Sequence, residues 1–159
     1  MESFVLTGIE KPVTLVHAFR LAEAFGAEIV LLQSVKPPQP VLSEMFPRWV
    51  AVRTTVCEGI DELRAYLTSR GQRCVALEVT RTAVPYWEFR PAANEPLAII
   101  IGSESSGVRD EFLTEFRDHL FIPMVGQATC LSAGMALSIV AAHFAWVDQT
   151  DVSTHAPRP

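Results

Sequence analysis

The polar turn at residues 102–107, Gly-Ser-Glu-Ser-Ser-Gly, places one carboxylate, Glu104, directly after the apolar run 97–101. Such an uninterrupted apolar run predicts a strand buried on both faces of a parallel sheet, and helical spacing resumes at 109–117. A strand, a glycine-rich turn and a helix in this order form ligand sites in open α/β sheets. Because glycines let a ligand approach the backbone, we expect Gly102→Val to block binding while leaving the fold intact.

The turn does not match the common phosphate-binding motifs. Gly102 and Gly107 have the spacing of a phosphate-binding loop, but Val108 stands where that loop has its lysine. A dinucleotide fingerprint needs a third glycine, and a nucleophile elbow needs a glycine in place of Ser103. An acidic turn also suits a neutral or cationic ligand better than a pyrophosphate.

A second segment, 121–138, predicts a short strand, a turn at Gly126 and then an apolar helix. Together with the turn at 102–107 and the amino-terminal segment 10–27, it resembles the SpoU/TrmH branch of the SPOUT RNA methyltransferases. The resemblance extends over nearly the whole chain, from residue 4 to residue 146. The matching positions outside the turn are Pro12, Arg20, Ala22, Phe25, Gly26 and Ala27 in the first motif, and Ile122, Pro123, Met124 and Gly126 in the third.

The resemblance implies a fold, a reaction and partners. The implied fold is an α/β parallel sheet flanked by helices, with a trefoil knot at the carboxyl-terminal end. The implied reaction is transfer of a methyl group from S-adenosylmethionine to a ribose 2′-hydroxyl of tRNA or rRNA, by a homodimer and without a metal. Methyl transfer by direct displacement leaves the protein to align the reactants and to stabilise charge.

The resemblance also implies three groups of functional residues. The donor-binding group is Leu77, Gly102, Glu104, Gly107, Ile122, Met124 and Leu131. The catalytic group is Arg20, Glu104, Cys130 and Ser132, and the RNA-binding group is Thr14, Arg20 and Arg81. In this scheme Arg20 stabilises charge on the attacking oxygen, and another group must accept the proton because a guanidinium stays protonated.

The chain departs from the family's pattern at positions near methyl transfer. Thr14 and Ser132 stand where the family has asparagine, Val16 where a small residue is usual, and Cys130 where serine is usual. A catalytically impaired relative that acts as a dimeric S-adenosylmethionine- or RNA-binding module is therefore an alternative. Cys130 and Ser132 also suit small helix-cap roles. A small-molecule α/β enzyme without an RNA role is a third interpretation, since the net charge is −5.

Strands and helices alternate around these motifs, which implies parallel crossover connections. Strands are predicted at 4–6, 28–35, 51–55, 72–79 and 97–101, with a short one beginning at 121. Helices are predicted at 12–25, 58–69, 109–117 and 131–147, and loops at 36–40 and 80–87. The second loop carries Tyr86 and Trp87, which would stack on a base or pack within the loop.

The length of 159 residues indicates one domain, at 1–148, followed by a tail at 149–159. An apolar content of 49% and a charged content of 19% are typical of a globular α/β protein and argue against disorder. The net charge of −5 excludes a global basic field, so contact with RNA requires a local patch.

Three cysteines without paired or metal-ligand spacing, in a chain without a predicted signal peptide, indicate a reducing cytoplasm. The apolar helix at 131–147 is shorter than the roughly 20 residues that span a bilayer, so no membrane association is expected. Its apolar residues are spread around its circumference, which indicates a core or a subunit interface and supports a homodimer. The large ones are Met135, Ile139, Phe144 and Trp146.

Overall fold

The computed structural model describes residues 1–32 and 51–147. Within these residues, seven strands form one sheet in the order β3-β2-β1-β6-β4-β7-β5, and every neighbouring pair is parallel. The strands are β1 (Ser3–Leu6), β2 (Glu28–Leu32), β3 (Thr54–Cys57), β4 (Arg73–Leu77), β5 (Val84–Pro85), β6 (Leu97–Ile101) and β7 (Asp118–Phe121). The helices are α1 (Pro12–Phe25), α2 (Ile60–Ser69), α3 (Asp110–Glu115) and α4 (Ala133–Val147).

Strand β6 lies in the middle of the sheet, between β1 and β4. All five of its residues are buried, as the apolar run at 97–101 predicts. Successive side chains of a strand point to opposite faces, and Ile99 and Ile101 accordingly belong to one apolar cluster while Ala98 and Ile100 belong to another. The sheet therefore has an apolar core on each face.

Helices cover both faces of the sheet. On one face α1 and α4 pack together and contribute Phe19, Val140 and Phe144 to the core. On the other face α2 contributes Leu63, and α3 contributes Phe112. This three-layer arrangement is the α/β fold class predicted from the sequence. No helix among residues 1–32 and 51–147 has both the length and the apolar character that crossing a membrane requires.

The bounds of α1 follow from its sequence. Pro12 occupies the first turn, where its missing N–H group costs no hydrogen bond. Gly26 ends the helix in the left-handed conformation, with a φ of 67° that favours glycine. The predicted helix at 12–25 is confirmed.

Strand β3 begins three residues later and ends two residues later than the predicted strand at 51–55. The backbone pairs Ile29 with Thr54 and Leu32 with Cys57. β3 is an edge strand, and of its four residues only Cys57 is buried. A half-exposed strand lacks a strong apolar pattern, which explains the shifted prediction.

The predicted short strand beginning at 121 is wrong in its placement, since β7 ends at Phe121, and the predicted helix at 109–117 ends at Glu115. The charged residue that opens β7, Asp118, forms a bidentate pair with Arg73 at 2.7 and 2.8 Å. This ion pair joins the amino ends of β4 and β7. Because β7 begins with a charged residue, the apolar pattern of the sequence did not indicate where this strand starts.

The segment predicted as a loop at 80–87 contains the two-residue strand β5, which pairs Pro85 with Phe121. The prolines at 36–40, the predicted extension of β2 to residue 35 and the predicted tail at 149–159 lie outside the described residues.

Candidate functional site

A cavity of 270 Å³ opens at the carboxyl ends of β4, β6 and β7. Parallel strands present these ends at one edge of the sheet, so three segments that are distant in sequence meet here. They are the end of β4, the turn after β6 and the connection from β7 to α4. The predicted donor-binding residues all line this cavity: Leu77, Gly102, Glu104, Gly107, Ile122, Met124 and Leu131.

The turn at 102–107 is closed by two backbone hydrogen bonds of 3.0 Å between Ser103 and Gly107. Gly102 is buried beneath this closure, and a Cβ at its position would overlap the carbonyl group of Gly107 and the amide nitrogen of Val108. The expectation that Gly102→Val leaves the fold intact is therefore wrong. Gly102 is required by the backbone of the turn itself.

Gly107 has a φ of 68° and lies against a side chain that the sequence analysis missed, Glu78. A Cβ on Gly107 would overlap Oε2 of Glu78. That oxygen accepts a hydrogen bond of 2.9 Å from the Val108 N–H, and Oε1 accepts one of 2.9 Å from the Val79 N–H. The second glycine of the motif thus makes room for the carboxylate of the residue that follows β4. Its signal in the sequence was a charged residue directly after an apolar strand.

Glu104 joins the turn to the amino end of α1. Its carboxylate accepts hydrogen bonds from the backbone N–H groups of Glu10 at 2.9 Å and Lys11 at 3.3 Å, and from the hydroxyl of Thr14. Burial alone would raise the pKa of Glu104, but these hydrogen bonds outweigh burial and hold its pKa below the ordinary value. Glu104 is therefore an anchored anion at a helix amino terminus, where negative charge is favourable.

Thr14 is 2% exposed, and its hydroxyl is directed at Glu104. The structure thus brings Thr14 into contact with Glu104, which lines the cavity. Thr14 does not line the cavity among the described residues.

The predicted catalytic residues are not gathered in one place. Cys130 lines the cavity and is exposed. Ser132 lies just before α4, where its Oγ accepts a hydrogen bond of 3.4 Å from the Met135 N–H, as a helix cap does. Arg20 lies on the exposed side of α1, outside the described cavity lining.

Arg81 is exposed, on the loop that leaves β4 beside the cavity. Its neighbours Thr80 and Thr82 lie 2.8 and 3.1 Å from Nδ1 of His119. Nε2 of His119 faces the backbone carbonyls of Leu113 and Phe116, at 3.0 and 2.9 Å, so Nε2 carries a proton and donates to them. This buried histidine therefore anchors the loop that presents Arg81.

The cavity is acidic. Glu78 and Glu104 line it, and its described lining contains no arginine, lysine or histidine. Apolar side chains of Leu77, Ile122 and Met124 supply much of the remaining wall. Within residues 1–32 and 51–147, no group of three or more histidine, cysteine, aspartate or glutamate side chains is placed to hold a metal ion.

The segments that form the cavity are also found in known proteins. Residues 2–142, which include all three segments around the cavity, match the model of the SpoU rRNA methylase family. The chain belongs to this family. The resemblance inferred from the motifs at 10–27, 102–107 and 121–138 is thereby confirmed.

Individual relatives agree with this membership. A Staphylococcus haemolyticus protein assigned to the TrmH family of tRNA/rRNA methyltransferases is 30% identical over 145 residues, which cover 86% of this chain and 55% of that protein. The matched regions cover 55% and 38% of the length of two curated relatives, so this chain spans about half of their length or less.

Solved structures share the fold. One comes from work on the 2-OH methylation of C/U34 on tRNA and is 27% identical, with a TM-score of 0.79. The superposition covers 94% of this chain and 97% of that chain. An AdoMet-bound rRNA methyltransferase from Sinorhizobium meliloti has a TM-score of 0.77 at 21% identity, over 95% of this chain and 57% of that one. The α/β fold of SPOUT methyltransferases that the resemblance implied is confirmed.

Proposed function

We propose that this chain transfers the methyl group of S-adenosylmethionine to a ribose 2′-hydroxyl of tRNA or rRNA. One observation carries the proposal: the second and third family motifs converge on a single cavity at the carboxyl ends of the strands, and the first motif is tied to it through Glu104. The similarity to the protein studied for 2-OH methylation of tRNA, over nearly the full length of both chains, supports the same reaction.

The cavity suits the proposed donor. Apolar walls from Leu77, Ile122 and Leu131 would enclose the adenine, and backbone polar groups of the same segments would recognise its edge. The acidic lining suits a ligand with a positive charge, which S-adenosylmethionine carries on its sulfur. When bound, this donor supplies an activated methyl group, and the protein holds it in place.

On the RNA side, we propose that Arg20 and Arg81 contact phosphate and ribose. Both are exposed, and arginine forms bidentate hydrogen bonds with phosphate. Arg20 would stabilise the charge that develops on the attacking oxygen. Thr14 is buried, so its part in the proposal is to fix Glu104 and with it the start of the helix that carries Arg20.

We also propose a homodimer that uses α1 and α4. Phe144 is buried in the core, so the apolar residues of α4 do not all face outward, but Met135, Ile139 and Trp146 are 54%, 37% and 54% exposed. They are spaced at 4 and 7 residues and therefore share one side of the helix. On α1 Val13 is 52% exposed. An apolar strip of this kind is typical of an interface.

The packing of α4 supports a carboxyl-terminal trefoil knot. The connection from β4 to β6 runs outside β7 through β5, and then contacts α4. Tyr86 of this connection packs edge-on against His143 at 5.0 Å, and Phe89 packs against Phe144 at 5.9 Å. We propose that α4 passes through this loop. The domain at 1–148 and a cytoplasmic location, where tRNA and rRNA are modified, belong to the same proposal.

The alternative, a dimeric binding module without catalysis, is favoured by one observation. Ser132 acts as a helix cap, and the Thr14 hydroxyl donates to Glu104. Neither of these two residues, which replace the family's asparagines, is part of the described cavity lining.

Calorimetric titration with S-adenosylmethionine, followed by a methylation assay on unmodified total RNA with mapping of 2′-O-methyl positions, tests the proposal. Donor binding with methylation of RNA is expected. Donor binding without methylation of any RNA would instead establish the binding module. Light scattering at micromolar concentration tests the assembly, and a monomeric mass would contradict the dimer.

A further inference from the structure

Glu78 is a second carboxylate in the cavity, and it lies outside the motif segments at 10–27, 102–107 and 121–138. It directly follows β4, lines the cavity and lies against Gly107 of the turn at 102–107. We propose that Glu78 determines specificity for the charged methyl donor, favouring the sulfonium cation of S-adenosylmethionine over the neutral thioether of S-adenosylhomocysteine. This rests on the proposed function, because it takes S-adenosylmethionine as the ligand.

Backbone amides hold the Glu78 carboxylate in place. Oε1 accepts one hydrogen bond of 2.9 Å from Val79, and Oε2 accepts one of 2.9 Å from Val108. A carboxylate has about four acceptor sites, so each oxygen keeps a site for a further partner. The absence of a side chain at Gly107 provides the space in which the carboxylate lies. Glu78 is thus a fixed negative charge on the cavity wall with acceptor capacity to spare.

Glu104, the other carboxylate in the described lining, has less such capacity. Its oxygens accept from the N–H groups of Glu10 and Lys11 and from the hydroxyl of Thr14, so three of about four acceptor sites are taken. Glu78 accepts from two donors among the described residues, so it is the acidic residue with more capacity to face a cationic ligand.

The charge of the ligand changes during the proposed reaction. When the methyl group moves from sulfur to the ribose oxygen, the sulfur recovers its electron pair and becomes neutral, and the hydroxyl proton is released. S-adenosylmethionine then carries one positive charge more than S-adenosylhomocysteine. In a cavity whose described lining has two carboxylates and no cationic side chain, that charge strengthens donor binding and its loss weakens product binding.

The experiment compares the affinities of two ligands in three proteins. Calorimetry measures S-adenosylmethionine and S-adenosylhomocysteine binding to the native chain, to Glu78→Gln and to the control Glu111→Gln. Glu111 is an exposed carboxylate on α3 that pairs with Arg109 at 2.7 Å, outside the cavity. We expect Glu78→Gln to weaken donor binding about tenfold and product binding less than about twofold, since only the donor has the charge to lose. The control is expected to change neither.

An unchanged ratio of the two affinities would overturn the proposal. If both affinities fall equally, Glu78 only holds the turn. If Glu78→Gln does not fold, the binding of both ligands to Glu78→Asp and to the native chain is measured at salt concentrations from about 0.02 to 0.5 M. Charge screening rises steeply over this range. The preference for the donor should fall with salt, and a constant preference would contradict the role. A native chain that binds neither ligand would refute the proposed function instead.

Discussion

Glu104→Gln tests the anchor between the turn at 102–107 and α1. A glutamine of the same size keeps one acceptor oxygen and loses the charge. In the native chain Oε2 serves the Glu10 amide while Oε1 serves Lys11 and Thr14, so glutamine leaves at least one donor unsatisfied. Hydrogen bonds to charged groups contribute about 1.5–3 kcal/mol each. We expect the free energy of unfolding to fall by about 2 kcal/mol, and Tm by about 4–8 °C for a chain of this size.

Urea unfolding at pH 7 measures this difference, with Glu111→Gln as the exposed control, for which a change within about 0.5 kcal/mol is expected. The comparison is then repeated at lower pH. The pKa of Glu104 is lowered by folding, so its stabilising contribution is present above the unfolded value of 4.5 and is lost as the pH falls through the folded pKa. The advantage of the native chain over Glu104→Gln should therefore shrink below pH 4.5. A variant as stable as the native chain, or a difference independent of pH, would refute the anchor.

Three further substitutions or reactions have defined outcomes. Gly102→Val should not give a protein that unfolds cooperatively, because the added Cβ would overlap the backbone across the turn. Circular dichroism during thermal unfolding measures this, and a native-like transition would contradict the prediction. Arg20→Ala should leave donor affinity nearly unchanged and should lower the methylation rate in single-turnover kinetics by about a hundredfold or more. A rate within a few-fold of the native rate would show that Arg20 has no role in the reaction. Cys130 is the exposed thiol and should react with a maleimide reagent before the buried Cys57 and Cys74 do. S-adenosylmethionine should slow the reaction of Cys130, which lines the cavity. Mass mapping of the modified peptides measures both effects, and an unchanged rate at Cys130 would contradict the second.

The sequence predicts the parts of the site that are encoded locally. The run at 97–101 is buried on both faces, so its composition alone identifies a central strand. The turn that follows and the family motifs around Gly126 contribute the predicted donor-binding residues, which all line one cavity. That they bind the donor stays a prediction. These features depend on short stretches whose burial and backbone geometry leave a clear pattern.

The missed features depend on which strands become neighbours. Glu78 belongs to the site because β4 pairs with β6, a pairing between segments 20 or more residues apart that no local pattern encodes. β7 was misplaced because its first residue, Asp118, is charged and is balanced by Arg73 of the neighbouring strand. The role of Gly102 was misjudged for a different reason: its Cβ would meet the backbone of Gly107 and Val108, across its own turn, before it met a ligand.

The order in which the cavity-lining segments occur along the chain has a consequence for biosynthesis. The last contributors, the connection after β7 and the first turn of α4, leave the ribosome after every other wall of the cavity. A nascent chain that ends before residue 133 lacks the part of the cavity wall that Ala133 and Ala136 provide. By mass action, a ligand of this cavity therefore stabilises states in which α4 has docked more than states in which it has not.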